Sequence, residues 1–387
     1  MIARPEALRL PRPRLSEPKW VAIGGMVMGA LAFWLALPPL TARAVFWPIA
    51  LGILAVAAGI WAVTRGARRP GWGAVASGLL GIGLGYLATR SSVGHLEGAV
   101  TWGSLFAAML RFATPLTFAA IGGMFSERSG VVNIGLEGMM LTGAFFAIVG
   151  ADKSGSWVVG ILAAMVAGAV LAFIHAVVSI QLRADQIVSG VAVNFLALGV
   201  TGYFFVQIYK DQGTPGDIPR IPEIGGLNLM IWAAIALVIL SYVAMFKTPV
   251  GLRIRAVGEH PKAADTVGIS VYKTRYAAVT FSGVLAALGG AYLSIGLLGS
   301  FNEGMTAGRG FIALAALIFG NWRPFGAFGA ACLFGLSTAF AYRLDVYSES
   351  ASVLFQALPY VLTLIAVVGI IGRTRPPAAV GKPYVKQ

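Results

Sequence analysis

Charged residues are scarce in this sequence. Asp, Glu, Lys and Arg together make up 11% of the 387 residues, while hydrophobic residues make up 58% and the mean hydropathy is +0.81. A soluble domain covers its surface with roughly 25% charged residues. Because this chain falls far below that fraction, a soluble globular protein is excluded, and we expect most of its outer surface to face lipid.

Cysteine is nearly absent, and so are the motifs of common catalytic sites. The single Cys332 lies in an apolar run, which excludes a disulfide framework and a cysteine metal site. No G-x-x-x-x-G-K-S/T phosphate-binding loop, His-Glu-x-x-His pair or nucleophile elbow occurs. We therefore predict that the chain is not an enzyme and carries no metal or cofactor of its own.

Long apolar runs, by contrast, follow one another along the whole chain. A bilayer core about 30 Å thick takes about 20 helical residues to cross. Runs of spanning or near-spanning length lie at about residues 20–40, 44–64, 72–89, 104–124, 134–151, 157–181, 187–209, 229–246, 276–297, 309–321, 325–343 and 351–372. The run at 309–321 is short, so we expect a broken or tilted element there. The predicted fold class is all-α, a polytopic transmembrane helical bundle of about twelve segments.

Basic residues alternate between the two sides of these runs, as the positive-inside rule requires. With the N-terminus inside, 21 of the 29 Lys and Arg residues fall in inner segments and seven in outer ones, and Arg111 is left within a span, from which we expect it to reach the outer face. Both termini are therefore predicted to be cytoplasmic. An anionic lipid surface explains the net charge of +14 without nucleic acid. The longest outer loop, Lys210–Asn228, is rich in Gly and Pro and is predicted to be ordered and turn-rich.

A polar interval with six basic residues, Lys247–Arg275, interrupts the apolar pattern and contains the stretch GEHPKAADTVGIS. Pro261 suits the first position of a helix and Gly268 the position after its end, which predicts a helix of about two turns. A helix this short is marginal on its own in water. In one interpretation it is a helical turn in a solvated loop; in the other, the small face of Ala263 and Ala264 enters a cleft on another protein.

The stretch RAVGEHPKAADTVGI resembles the cytoplasmic loop of ATP-binding-cassette (ABC) importer permeases, in the form G-E-x-P-x-A-A-x-x-x-G-I. Residues 125–145, 185–204 and 304–326 are similar to permeases that import nucleosides and simple sugars, and the resemblance covers about residues 104–372. In that family the short helix, the coupling helix, docks on a separate ATP-hydrolysing subunit. The resemblance therefore implies an ATPase-coupling role for Gly258, Glu259, Pro261, Lys262, Ala263, Ala264, Asp265 and Gly268.

The resemblance also implies an activity and a set of partners. The chain would be the transmembrane permease subunit of an ABC importer, forming half of the pathway for nucleosides or related simple sugars across the cytoplasmic (inner) membrane. The partners would be two ATPase subunits, which bind the ATP, a second permease that is homologous or identical, an extracytoplasmic binding protein and membrane lipid. Two alternatives stay open: a branched-chain amino acid ABC permease, which has the same loop, and an ion-coupled secondary transporter, which needs paired charges deep in the spans.

Four regions follow from the runs and the resemblance together. Residues 1–19 are a basic cytoplasmic tail, and residues 20–100 hold extra spans, the first of which is too long for a secretory signal and is interpreted as a retained anchor. Residues 101–372 form the ABC permease domain, with the coupling loop at 247–275. Residues 373–387 are a cytoplasmic tail, polar and rich in Pro, that we expect to be flexible.

Polar residues inside spans are energetically costly, which makes them candidates for a solute pathway. Asn133 and Glu137 flank the start of the fifth run, where they either cap or stabilise the helix end or line the pathway. Asn194, in the middle of the seventh run, either bonds between helices or binds substrate. Phe301 and Asn302 lie in an irregular stretch beside the short tenth run, which is either a simple outer hairpin or a place to contact a base or sugar.

Overall fold

The protein is described by a computed structural model that covers residues 17–35, 44–90, 102–345 and 375–386. These residues are almost entirely helical. The α-helices are α1 Glu17–Trp34, α2 Phe46–Thr64, α3 Arg68–Arg90, α4 Trp102–Arg128, α5 Leu136–Ser154, α6 Trp157–Ala176, α7 Gln186–Tyr209, α8 Leu229–Lys247, α9 Pro249–Glu259, α10 Pro261–Thr266, α11 Val271–Ala291, α12 Arg309–Phe319 and α13 Pro324–Asp345. The fold class predicted from the runs is therefore confirmed in its coarse form.

Six of the described helices, α2, α4, α6, α7, α8 and α11, are long and apolar enough to cross a membrane. This number does not support the predicted count of twelve. The predicted segment at 351–372 lies outside the described residues, and that at 20–40 is described only as far as residue 35. α5 illustrates why an apolar run need not give a long apolar helix, because Glu137 occupies its first turn and Asp152 and Lys153 lie at its other end.

The described residues separate into two compact units. In the first, α1, α2 and α3 pack closely through small residues. A Cβ on Gly29 would lie 2.5 Å from the Ser77 backbone, and one on Gly78 would lie 2.7 Å from the Gly52 carbonyl oxygen. The Ser77 hydroxyl also donates to the Met26 carbonyl at 2.9 Å. Because apolar side chains gain little by leaving lipid for another helix, such close backbone approach is the expected source of packing energy in a membrane.

The second unit contains residues 103–344 and 375–386, in which α5, α6 and α11 pack closely against one another. Gly290 of α11 lies directly against the Met140 carbonyl of α5, and Gly168 of α6 faces Gly283 of α11, with no room for a side chain at either contact. We call the end of this unit that carries α9 and α10 the α10 end. The opposite end, where the loop between α7 and α8 lies, is the hairpin end.

The hairpin end is formed by the predicted outer loop, which is ordered as expected. It also contains a feature that the sequence analysis missed, a two-stranded antiparallel hairpin of β1 Glu223–Ile224 and β2 Leu227–Asn228. The side chain of Asn228 donates to the Gly296 carbonyl at 3.0 Å, which holds the loop on the end of α11. Arg111 reaches the Gly226 carbonyl at 3.5 Å, so its guanidinium lies at the end of the span, as predicted.

Several helices of this unit are interrupted. Five-residue and seven-residue π-helical stretches follow α6 and α11, at Val177–Gln181 and Tyr292–Leu298. Non-helical segments separate α4 from α5 and precede α12, at residues 129–135 and 299–308. α12 has only 11 residues, which confirms the prediction of a short, broken tenth element. These interruptions bring together most of the polar side chains discussed below.

Candidate functional site

α10 is the short helix predicted in the coupling loop, and it lies where expected, at Pro261–Thr266. Pro261 occupies its first turn. Gly268 follows its end with φ +83°, and its N–H donates to the Asp265 carbonyl at 2.9 Å. Six residues cannot sustain a helix alone in water, so α10 depends on the elements packed against it.

The two sides of α10 differ in exposure. Ala264 is 3% exposed and packs with three apolar side chains, Val257, Val271 and Tyr384. Lys262 and Ala263 are exposed, and Val267 just after the helix is 73% exposed. The expectation that Ala263 and Ala264 share one docking face is therefore wrong. Successive helical residues point about 100° apart, and the fold turns Ala264 inward and leaves Ala263 outside.

The other coupling-loop candidates divide in the same way. Glu259 and Gly268 are exposed, Pro261 and Asp265 are half-buried, and Gly258 is buried. Gly258 lies so close to the Arg128 carbonyl at the end of α4 that any Cβ would collide with it. Gly258 and Ala264 therefore attach the loop to the bundle, whereas Glu259, Lys262, Ala263 and Gly268 are accessible from outside.

Residues 375–386, which we call the C-terminal strap, lie against the α10 end. The N–H of Ala379 donates to the Gly258 carbonyl at 2.9 Å, and the N–H of Gly381 donates to the Gly130 carbonyl at 3.2 Å. The prediction of a flexible tail is thus wrong for these residues. Polar, Pro-rich composition disfavours regular structure but leaves backbone groups free to bond to neighbouring elements, and here they do so.

Tyr384 anchors the far end of the strap. Its ring lies 5.6 Å from that of Tyr272, whose hydroxyl donates to the Tyr384 carbonyl at 3.2 Å. The Tyr384 side chain is buried against Ala264 and its neighbours. Burial, together with the nearby Asp265 carboxylate, raises the pKa of the Tyr384 hydroxyl, so this side chain stays neutral and packs as an aromatic residue.

Arg275 was counted in the sequence as one more basic residue of the loop, but it lies in the second turn of α11 and is only 2% exposed. Its guanidinium donates to two backbone carbonyls, from Nε to Ser129 at 3.2 Å and from Nη1 to Lys382 at 3.1 Å. A buried cation needs such acceptors, because its desolvation is otherwise costly. Arg275 thereby joins α11, the turn after α4 and the strap.

The irregular segment 129–135 has several of its backbone groups bonded to side chains from other helices. The Gln186 side chain accepts the N–H of Val132 at 2.7 Å, and a ring nitrogen of His175 lies 3.0 Å from the Val132 carbonyl oxygen. Asn194 accepts the N–H of Gly138 at 2.8 Å and donates to the Ile134 carbonyl at 3.1 Å. Non-helical backbone at membrane depth is tolerated only when it is covered in this way.

Asn133 and Asn194 both make contacts within the bundle. Asn194 bridges α7 and the start of α5, the interhelical arrangement considered from the sequence. Asn133 is fully buried and donates to the Ser282 hydroxyl of α11 at 2.9 Å. It does not cap α5, whose N-cap is Gly135, so the capping alternative is wrong. Nothing in the sequence indicated the role of Gln186, because a glutamine at the start of an apolar run is common. Its partner, the Val132 N–H, is known only from the structure.

Glu137 joins the two interrupted elements. Its carboxylate accepts the N–H of Gly308 at 2.7 Å and that of Gly310 at 2.6 Å, so it caps α12 from the first turn of α5. A negative charge at a helix N-terminus satisfies unpaired N–H groups and the positive end of the helix dipole. The side chain is half-buried, and it is the only one of the in-span candidates that carries a charge.

Phe301 and Asn302, although adjacent, lie in different environments. Phe301 is 1% exposed, and its ring centre lies 5.1 Å from that of Phe145 and 5.3 Å from that of Phe205. Because the Phe301 ring is buried among these aromatic side chains, it has no open face on which a solute could stack. Asn302 is exposed and its side chain is free to reach outward.

α5, α6 and α7 line a groove of about 660 Å³. Apart from Thr142, every residue that lines it is apolar, so the groove offers almost no hydrogen bonds to a polar solute. α6 and α7 also leave most of their apolar surface outside the unit, with only 28% and 17% of their spanning windows buried. This face of the unit therefore suits lipid.

Comparison with known proteins identifies a family that matches this chain and several similar proteins. The sequence profile described as branched-chain amino acid transport system / permease component matches residues 105–367. The chain is 45% identical over 305 residues to the guanosine ABC transporter permease protein NupQ of Bacillus subtilis, covering 72% of this chain and 95% of that protein. No solved structure matches.

Two further relatives carry names that point to other solutes. The chain is 41% identical over 308 residues to the nucleoside ABC transporter permease protein NupC of Lactococcus lactis, covering 73% of this chain and 96% of that protein. It is 37% identical over 253 residues to the putative glucose ABC transporter permease protein TsgC13 of Haloferax volcanii, covering 62% of this chain and 77% of that protein.

Proposed function

Because the chain belongs to the family of permease components of branched-chain amino acid transport systems, we propose that it forms half of the membrane pathway of an ATP-driven importer for nucleosides or related simple sugars. Membership makes it a permease subunit and not an enzyme. The observation that carries the proposal is α10, a six-residue helix fixed to the bundle on one side and exposed on the other. The cargo is supported by the names of the relatives, two of which are nucleoside or guanosine permeases.

The exposed side of α10 is the surface that we assign to an ATPase subunit. Ala263 is small enough for close approach, and Val267 offers an apolar side chain at 73% exposure. Lys262 and Glu259 add a charge of each sign at the edges. Two ATPase subunits would bind the ATP, one at the α10 of this chain and one at a second permease, homologous or identical, with a binding protein on the other side of the membrane.

We assign the α10 end to the cytoplasm and the hairpin end to the outside of the cytoplasmic membrane, with both termini inside. The distribution of basic residues supports this orientation. Residues 101–372 form the permease domain, and the segments at 20–100 precede it, in line with a profile match that starts at residue 105.

A labelling experiment tests the orientation directly. With the native Cys332 replaced by Ala, a cysteine is introduced either as Lys262→Cys in α10 or as Glu223→Cys in the hairpin. A membrane-impermeant maleimide added to intact cells is expected to label the Glu223→Cys protein and to leave the Lys262→Cys protein unlabelled until the membrane is opened. Labelling of Lys262→Cys in intact cells contradicts the orientation.

Contacts divide the candidate pathway residues into two groups. Asn302 is exposed, so we assign it to the surface that the solute passes; Glu137 is half-buried, and we assign it to the edge of that surface, where it also caps α12. Asn133, Asn194 and Phe301 have their polar or aromatic groups engaged within the bundle, and we assign them to positioning the elements that surround the pathway.

Transport by reconstituted vesicles tests the cargo. The permease, its partner subunits and the binding protein are placed in vesicles with ATP on the α10 side and labelled guanosine on the other. We expect ATP-dependent uptake that unlabelled nucleosides inhibit and that leucine does not. Absence of guanosine uptake, with uptake of labelled leucine in its place, favours a branched-chain amino acid permease, and uptake of labelled glucose in its place favours a sugar permease. Uptake that persists without ATP and stops with an uncoupler contradicts an ABC mechanism.

A further inference from the structure

The C-terminal strap touches five separate elements at the α10 end. Its backbone N–H groups reach the Asn321 side chain after α12, the Glu259 side chain and Gly258 carbonyl of α9, and the Gly130 carbonyl of the turn after α4, at 3.1, 3.2, 2.9 and 3.2 Å. Tyr384 then packs on the buried side of α10 and on the start of α11. A segment of 12 residues therefore lies where α10 meets α9 and α11.

Arg275 of α11 bonds to two of the elements that meet at this junction. Its Nε donates to the Ser129 carbonyl and its Nη1 to the Lys382 carbonyl, so a single buried guanidinium holds the turn after α4 and the strap together. Hydrogen bonds from a charged donor are stronger than neutral ones. Gly130, between the two, sits close against the same guanidinium, where a Cβ would lie 2.8 Å from Nη2.

The same turn leads on to the candidate pathway. Gly130 continues into the irregular segment that ends at α5, and Glu137 in the first turn of α5 caps α12. The strap therefore contacts α10 through the buried Tyr384 and bonds to the turn at Gly130, the turn continues along the chain to Glu137, and Glu137 bonds to the start of α12. Energetic coupling between distant sites is carried by contiguous packed and hydrogen-bonded groups, provided that they move together.

We propose that the C-terminal strap is a transmission element, which makes α10 and the break between α4 and α5 move as one body when the ATPase moves. This rests on the proposed function of α10 as the ATPase contact. Arg275 and Tyr384 are positioning residues in this scheme, because neither is assigned to touch the ATPase or the solute. The strap would set how much of the ATPase motion reaches α12, without itself holding the ATPase.

Removing residues 375–387 from the full chain tests the proposal in the reconstituted complex. Three quantities are measured: ATPase co-purified with the permease, ATP hydrolysed, and solute imported per ATP. We expect normal co-purification and continued hydrolysis, with solute per ATP reduced by about tenfold. A truncated chain with an unchanged ratio overturns the proposal, and so does one that loses the ATPase, since the strap would then be part of the docking site.

Single substitutions give the same test without truncation. Tyr384→Ala removes the ring from the Ala264 cluster and is expected to lower solute per ATP, whereas Tyr384→Phe keeps the ring and the carbonyl and is expected to restore it. Lys382→Ala is the matched control, because that side chain is exposed and only its carbonyl bonds to Arg275. Equal ratios for Tyr384→Ala and Lys382→Ala overturn the proposal. Failure of the unaltered chain to co-purify any ATPase contradicts the proposed function instead.

Discussion

The carboxylate of Glu137 accepts the backbone N–H of Gly308 at 2.7 Å, across 171 positions of sequence. The bond joins the first turn of α5 to the residue just before α12. It therefore fixes the start of α12 relative to α5. A helix with only 11 residues gains little from its own hydrogen bonds, and the cap therefore matters more here than at the end of a long helix.

Glu137→Ala is expected to leave the N–H groups of Gly308 and Gly310 without their acceptor. Loss of a cap of this kind costs about 1 kcal/mol, measurable as a lower midpoint of thermal unfolding in detergent, and we expect solute uptake to fall with it. Glu137→Gln keeps one acceptor oxygen of the same length and should retain part of both. Unfolding and uptake of Glu137→Ala that match the unaltered chain would contradict the role assigned to this cap.

Gly258→Ala is expected to separate α9 from the end of α4. A Cβ at this position collides with the Arg128 carbonyl, and both groups belong to backbone that cannot turn aside. We predict loss of ATP-driven uptake at normal membrane insertion. Gly199→Ala in α7 is the control, because a Cβ there meets nothing within 4 Å. Similar uptake by both variants would mean that the close contact at Gly258 is dispensable.

Ala263 and Ala264 are neighbours with opposite expected phenotypes. Ala263→Arg places a long charged side chain on the exposed face of α10 and should reduce co-purification of the ATPase without lowering the unfolding midpoint. Ala264→Leu overfills the buried cluster at a cost of about 1–3 kcal/mol and should lower the unfolding midpoint. Pull-down and thermal unfolding are measured on both, and the assignment of faces fails if the two variants behave alike.

Asn194→Leu is expected to destabilise the second unit by removing the side chain that accepts the Gly138 N–H and donates to the Ile134 carbonyl. Interhelical hydrogen bonds in membranes contribute about 0.6 kcal/mol on average and up to about 1.7 kcal/mol. The upper part of that range applies here, because Gly138 N–H and the Ile134 carbonyl both lose their partner. Unfolding in mixed micelles measures the effect. Ala192→Leu, an exposed position on the same helix, should be neutral, and an equal loss from it would assign the effect to bulk alone.

Local features of the coupling loop could be predicted from the sequence. Pro261 and Gly268 mark the start and end of α10, because the proline ring suits a first helical turn and glycine adopts positive φ without strain. The short α12 follows from the length of its apolar run. The role of the C-terminal strap could not be predicted, because a Pro-rich tail is typical of a flexible segment. Only the structure shows that its N–H groups bond to the carbonyls of Gly258 and Gly130.

The sequence by itself determined that this chain faces lipid, that the element at 309–321 is short and that a short helix lies in the coupling loop. These properties depend on composition, run length and residues with restricted backbone angles. Only the tertiary structure decided that Ala264 turns inward, that Asn133 and Asn194 bond within the bundle and that Arg275 and the strap join five elements. The reason is that a polar group's role is set by its partner, and each partner here lies far away in the sequence.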